Sequence, residues 1–251
     1  MSIPTELIEI ARAAGISILE TRDRAVRTKT NGSPVTAADR ASHELILERL
    51  TTLSELPVIS EESESHPDPG TSDFWLVDPL DGTKELLKES GEFTVNIALV
   101  RGGRPVIGVV HLPATNVTYA TGGNESFVIR NDRHDPIRVS SRERKPVRIC
   151  VSRDHITDHD ERIISRFPEC ERIPAGSSLK ICLVAEGSAD LYVRAGHTME
   201  WDIAAAHAIL ITAGGTIRTT DGSELRYGKP DLLNPGFVAA SRQELIAEAL
   251  A

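Results

Sequence analysis

Residues 74–77, Phe-Trp-Leu-Val, form an apolar run that gives way to Asp78-Pro79-Leu80-Asp81-Gly82-Thr83. No other stretch constrains the fold as much. The run reads as a strand. Pro79 has no N–H for a ladder, which forbids a regular strand between the two aspartates. The strand is therefore expected to end at Val77, and Gly82 and Thr83 open a short helical turn. A strand that stops, turns and presents two carboxylates beside backbone N–H groups suits a metal-bound phosphate. Hard cations take oxygen ligands, and N–H groups at a helix start take the anion. Pro, Asp and Gly are also ordinary turn formers, so the motif alone leaves a plain loop open.

The 251 residues suffice for one large domain or two small packed halves. A net charge of −9 argues against a nucleic-acid groove, which needs a basic face. It does not exclude a small phosphorylated substrate, because bound cations reverse the local sign. The first residues have no basic region or apolar core of a signal peptide. No apolar run approaches the roughly 20 residues of a membrane span. Cys150, Cys170 and Cys182 are an odd set without C-x-x-C spacing. They read as reduced thiols of a cytoplasmic protein rather than a zinc site or disulfide framework.

Along the chain, residues 5–20 carry an apolar face at helical spacing. Residues 23–34 read as a polar loop. A helix follows, capped by Thr36 with Asp39 at its third position. Strands are expected at 56–60, 74–77, 93–101, 105–112, 117–121 and 127–130. From about residue 146 strands and helices alternate, with strands at 147–152, near 173, and at 191–194, 216–219 and 237–240. Helices are expected at 157–167, 178–186 and 201–213, and at the C-terminal end. This divides the chain into an N-terminal α+β half (1–145) and a C-terminal α/β half (146–251), joined in one compact unit of packed layers.

Four acids could converge on metal: Glu61 after one strand, Asp78 and Asp81 after another, and Asp202 at the start of Trp201-Asp202-Ile203-Ala204-Ala205. Each has a plainer reading alone. An acid in a first helical turn already suits the helix dipole, and a glutamate after a strand is ordinarily a solvated charge. Together, Asp78-Pro79-Leu80-Asp81-Gly82-Thr83, the upstream Glu61-Glu62 and the downstream Trp201-Asp202-Ile203-Ala204-Ala205 resemble the signatures of the inositol monophosphatase superfamily, over essentially the whole chain. Pro34-Val35-Thr36-Ala37-Ala38-Asp39, Gly91-Glu92-Phe93-Thr94-Val95-Asn96, Gly176-Ser177-Ser178-Leu179-Lys180 and Leu233-Asn234-Pro235-Gly236-Phe237 resemble one branch of it more closely, the bacterial 3'(2'),5'-bisphosphate nucleotidases of the CysQ type.

The resemblance implies an α+β fold, the layered αβαβα sandwich of the sugar phosphatases, and a lithium-sensitive phosphatase using two or three magnesium ions. Carried over by position, Glu61, Asp78, the Leu80 carbonyl, Asp81 and Asp202 would be metal ligands, with Asp78 bridging and Glu62 supporting. Glu61, Asp78, Thr83 and Asp39 would be catalytic, with Thr83 touching phosphate and the attacking water and Asp39 near that water. Glu61, Leu80 to Thr83 (with Asp81 and Gly82) and Asp202 would surround the phosphate. Direct in-line attack by water is implied, without a covalent enzyme intermediate.

On the substrate side, Ser177, Lys180 and Arg194 resemble the branch's contacts to a second phosphate, and His155 its contact to base or ribose. His207, His111 and Trp201 read as packed residues, Trp201 helping to orient Asp202. His197, Ile203 and Ala206 depart from common branch residues without removing a ligand. The implied substrate is adenosine 3',5'-bisphosphate, the by-product of sulfate assimilation, with its phosphosulfate analogue as a second. An inositol or sugar phosphate, or a nucleotide-binding protein without catalysis, are the alternatives. The expected location is the cytoplasm, with attachment at the cytoplasmic face of the inner membrane left open, as is the oligomeric state.

Overall fold

The computed structural model describes residues 3–23, 25–28, 34–68, 73–141, 143, 145–153 and 156–251. In chain order the first elements are α1 (Ile3–Glu20), β1 (Arg27–Thr28), β2 (Pro34–Val35), α2 (Ala37–Leu53), β3 (Val58–Ser60), β4 (Phe74–Asp81) and α3 (Thr83–Leu87). A meander follows: β5 (Thr94–Arg101), β6 (Arg104–Leu112), β7 (Val117–Gly122), β8 (Glu125–Arg130) and β9 (Arg133–Ile137). The second part holds β10 (Arg148–Ser152), α4 (Asp158–Ile164), β11 (Glu171–Ala175), α5 (Leu179–Ala185), β12 (Leu191–Arg194), β13 (Thr198–Met199), α6 (Glu200–Thr212), β14 (Thr216–Thr219), β15 (Leu233–Asn234), β16 (Phe237–Ala240) and α7 (Gln243–Leu250).

These stack as five layers. Helices α1 and α2 cover one face of a seven-stranded sheet ordered β3-β4-β5-β6-β7-β8-β9. Helices α5 and α6 lie between it and a five-stranded sheet ordered β11-β10-β12-β16-β14. Helices α4 and α7 close the far side. The layered αβαβα expectation therefore stands.

Strand alternation sends side chains to the correct layer. On β4, Trp75 and Val77 pack under α1 and α2, while Phe74 and Leu76 face α6. On β5, Val95, Ile97 and Leu99 take the first side, and Ala98 and Val100 the second. By the same parity Asp78, Thr94 and Asn96 face the central helical layer. On β12, Tyr192 joins the central core, and Arg194 shares its parity. Helix α6 is apolar nearly all round, with Trp201 and Ile203 to Leu210 buried, as suits a helix between two sheets.

The structure corrects several local expectations. Strand β4 does not end at Val77 but continues to Asp81 through a bulge. Its register runs from Asp78↔Asn96 directly to Asp81↔Thr94, so Pro79 and Leu80 oppose only Val95. A bulge needs no ladder N–H from Pro79, which is why proline is tolerated there. Within the expected loop at 23–34, β1 and β2 pair antiparallel. Strand β9 lies between residues 130 and 146, where the sequence reading places no element. It is an edge strand, as is β11 with Pro174, and proline at an edge blocks further pairing. The alanines of α6 do admit a close neighbour: Gly108 of β6, where a Cβ would lie 2.1 Å from the Ala205 carbonyl oxygen. Among the described residues no helix is long and apolar enough to cross a membrane.

His111 and His207 are packed residues, as the sequence reading holds. His111 Nδ1 lies 2.9 Å from Thr118 Oγ1, and His207 Nδ1 lies 2.8 Å from the Tyr227 hydroxyl. Burial first, with Arg12 beside His111 and Arg218 near His207, brings both down to about 4. An unfolded chain protonates these histidines near pH 6.5, whereas the folded one stays neutral until about 4. Stability is thus full above 6.5 and falls as pH drops toward 4. At pH 5 the loss is about 2 kcal/mol per histidine. Urea midpoints at pH 7.5 and 5 for wild type and His207→Asn test this, and the variant should show the shallower pH slope.

Candidate active site

A cleft of about 300 Å³ opens where the end of β4 meets the N-terminal ends of α5 and α6. Its walls include Glu61, Asp78, Leu80, Asp81, Gly82, Thr83, Ser177, Lys180, Arg194 and Asp202. Every site residue expected from sequence lines it except Asp39, which stands one residue back, and His155, which lies outside the described residues.

Carboxylate oxygens of Glu61, Asp78 and Asp202 lie within 4.8 Å of one another. Glu61 is placed by its own N–H, which donates to the Val77 carbonyl at 3.1 Å and extends the parallel pairing of β3 with β4. Each aspartate uses an oxygen on a backbone N–H, which fixes its aim. Asp78 Oδ1 accepts from Leu80 N at 3.0 Å, Asp81 Oδ2 from Ser178 N at 2.8 Å and Asp202 Oδ2 from Met199 N at 2.8 Å. Asp202 is the third residue of α6 and reaches back to the N-cap, so the plainer capping explanation is correct for one of its oxygens. The helix start is itself anchored by Glu200, whose buried carboxylate takes the Gly228 and Lys229 N–H groups and the Lys229 ammonium.

Like charges this close oppose ionisation. Burial, then the Glu61, Asp81 and Asp202 charges, holds Asp78 well above the usual carboxylate range, while the Leu80 N–H partly offsets them. Burial, then Asp81 and Glu61, does the same to Asp202. Asp81 is brought up to about 6 by burial, against the pull of Lys180 and the Ser178 N–H. Such a cluster of oxygen donors fits a hard divalent ion.

Behind the carboxylates, Thr36 and Asp39 form the expected capping box of α2, with Asp39 Oδ2 accepting from Thr36 N and Oγ1 at 2.8 and 2.6 Å. The other oxygen, Oδ1, accepts the Thr83 hydroxyl at 3.0 Å. Asp39 is buried and reaches the cleft only through Thr83. Gly82 caps α3 at φ 95, a region that favours glycine, and a Cβ there would sit 2.5 Å from Ser177 Oγ.

Opposite, Lys180 is buried, donates from Nζ to the Ser177 carbonyl at 2.7 Å and lies 5.4 Å from the Tyr192 ring centre. Burial lowers its affinity for a proton, and Asp81 opposes that effect. Ser177 is not the residue directly before the helix; Ser178 is the N-cap, and Ser177 takes φ 45. Sequence reasoning passed over Ser178, Thr94 and Asn96, which form one hydrogen-bonded set behind Asp81. Ser178 Oγ lies 2.7 Å from Asn96 Oδ1 and 3.0 Å from Thr94 Oγ1. Strand parity with Asp78 would have flagged Asn96. Arg153 and Tyr192 also line the cleft unforeseen.

The sequence profile of the inositol monophosphatase family matches residues 3–251. The 3'(2'),5'-bisphosphate nucleotidase CysQ of Salmonella typhimurium is 42% identical over 92% of this chain and 97% of that protein. That of Escherichia coli K12 is 41% identical over the same shares. The crystal structure of CysQ from Bacteroides thetaiotaomicron, a bacterial member of the same family, superimposes with a TM-score of 0.83 at 37% identity, over 96% of this chain and 97% of that one.

Proposed function

This chain belongs to the inositol monophosphatase family, and from that premise we propose that it is a magnesium-dependent phosphatase that removes the 3'-phosphate of adenosine 3',5'-bisphosphate, giving AMP and phosphate. The observation that carries the phosphatase reading is the convergence of Glu61, Asp78 and Asp202 beside the Gly82–Thr83 turn. The nucleotidase relatives carry the choice of substrate. The phosphosulfate analogue presents the same 3'-phosphate and is a second expected substrate.

Magnesium, when bound, supplies a Lewis acid for phosphoryl oxygens and makes water acidic enough to attack near neutral pH. Glu61, Asp78, Asp81, Asp202 and the Leu80 carbonyl would hold it, as two or three ions. The bulge takes Leu80 out of register with β5, which is compatible with the ligand role that the family resemblance gives its carbonyl. The Thr83 hydroxyl donates a hydrogen bond to Asp39, leaving its oxygen free to accept one from a water on the cleft side. Asp39 therefore acts by orienting Thr83, and Glu61 receives the same water. Ser177, Lys180 and Arg194 hold the second phosphate, which an inositol monophosphate lacks. Three unpaired cysteines, two of them buried, suit a reducing compartment, so we place the protein in the cytoplasm.

Lys180→Ala and Arg194→Ala test the assignment. A charge-assisted hydrogen bond to phosphate is worth about 1.5–3 kcal/mol, so kcat/KM for the bisphosphate is expected to fall about 10–100-fold. Adenosine 3'-monophosphate, which gives these residues no second anion, should lose only a few-fold. Equal losses on both would remove the second-phosphate assignment.

A further inference from the structure

Glu92 stands outside the cleft, yet two segments that form the cleft wall meet on its carboxylate. It lies in the turn leading into β5, one residue after Gly91, whose φ is 75. Oε1 accepts from Arg153 Nη2 at 2.7 Å, and Oε2 from Arg153 Nε at 2.8 Å and the Gly176 N–H at 2.8 Å. Arg153 follows β10 and Gly176 follows β11, and both line the cleft. The arginine fork is bidentate, the arrangement in which this pair is strongest and most directional. It holds the Glu92 carboxyl below the usual range.

The approach at Gly176 is tight, since a Cβ there would lie 3.1 Å from Glu92 Cβ and 3.2 Å from Oε2. The next residue, Ser177, has φ 45, a conformation a non-glycine residue keeps only when its surroundings impose it. Besides the Ser178 hydroxyl's contacts with Asn96 and Thr94, four hydrogen bonds hold this loop. The Ser177 hydroxyl donates to the Asp81 carbonyl at 3.0 Å, Ser178 N to Asp81 Oδ2, Lys180 Nζ to the Ser177 carbonyl, and Gly176 N to Glu92. Of these four, the last is received by a residue that does not itself line the cleft.

We propose that Glu92 is a positioning residue for the bisphosphate: it fixes Arg153 and the 176–178 loop so that Ser177 and Lys180 meet the second phosphate already in place. The inference rests on the reading of this wall as a second-phosphate subsite. Preforming a site reduces what binding must spend on ordering it and leaves the chemical step alone. Electrostatics alone predicts the reverse sign, because deleting a negative charge beside Arg153 and Lys180 would favour an anion. The direction of the change in KM therefore decides the matter.

The test uses the full chain with magnesium, and steady-state kinetics on adenosine 3',5'-bisphosphate and adenosine 3'-monophosphate, with melting temperatures alongside. Glu92→Gln keeps the shape and removes the charge. Glu92→Ala removes both carboxylate oxygens from the same contact. In both, KM for the bisphosphate is expected to rise about tenfold, with kcat and the monophosphate KM within about twofold. An unchanged or lower bisphosphate KM overturns the proposal. So does an equal rise for the monophosphate or a fall in kcat, either of which assigns Glu92 a general structural role. If wild type hydrolyses neither nucleotide, the phosphatase reading falls and this inference with it. If wild type is active and the KM does not move, the role of Glu92 alone is lost.

Discussion

Asp78→Asn is expected to lower turnover roughly 10³-fold and, in the same protein without metal, to raise the melting temperature by about 2–6 °C. Both effects have one origin. Asp78 is buried on β4 and faces Glu61, Asp81 and Asp202. A carboxyl raised on folding keeps a proton that the unfolded chain gives up. Its ionisation therefore costs stability above the ordinary carboxylate range, and the cost is absent below it. Asparagine has the same shape, keeps an oxygen for the Leu80 N–H and removes the repulsion, a gain of about 1–2 kcal/mol. It also removes a charge from the acidic cluster proposed to hold magnesium, and with it several kcal/mol of transition-state stabilisation. Circular dichroism melts in chelator and phosphate release in magnesium read the two separately. A variant that is less stable and still active would refute the placement of Asp78 at a metal centre.

Gly108→Ala, at a position remote from any ligand, should be the most disruptive single methyl. Its Cβ would stand 2.1 Å from the Ala205 oxygen, 2.8 Å from the Ala205 carbonyl carbon and 3.0 Å from its Cα. All three are backbone atoms of a helix packed between two sheets, so no side chain can swing aside. Overpacking costs about 1–3 kcal/mol where rotamers can adjust, and about 3 kcal/mol or more is expected here. That corresponds to a fall in melting temperature of about 6–12 °C. Asp202 lies on the same helix three residues before Ala205, so a shift of α6 moves a candidate ligand. Misplacement of about 1 Å costs roughly 100-fold in rate. Thermal melts and magnesium titrations followed by melting temperature would show both losses. A stable variant with wild-type magnesium response would show that α6 is not held against β6 at this point.

Much of the site was legible because its determinants are local. The Asp78-Pro79-Leu80-Asp81-Gly82-Thr83 turn, the Thr36–Asp39 capping box and the acid at the start of α6 each follow from a few adjacent residues. Turn and cap chemistry acts at that range. The bulge was misjudged for a physical reason. Proline ends a strand when a ladder N–H is needed, but here the register skips Pro79 and Leu80 and needs none. Strand β9 was hidden because its edge protection uses the same residues as a turn. Glu92 and Ser178 could not be read as parts of the site, since their partners lie more than 60 residues away in sequence. Arg153 on Glu92 and Ser178 on Asn96 meet only once the two sheets have stacked. Period-two alternation does predict that Asn96 faces the layer Asp78 faces, once the two strands are known to pair.

A magnesium-dependent bisphosphate nucleotidase built on the acidic cluster and the basic wall has a defined substrate order and metal requirement. Phosphate release by the wild-type chain tests both most directly, measured on adenosine 3',5'-bisphosphate, inositol 1-phosphate and fructose 1,6-bisphosphate with magnesium, with chelator, and with magnesium plus lithium. The expected result is release that needs magnesium, is suppressed by lithium and favours the nucleotide by at least about tenfold in kcat/KM, the worth of roughly one hydrogen bond to a charged group. Equal or greater release from inositol 1-phosphate would contradict the substrate assignment, and release undiminished in chelator would contradict the metal centre itself.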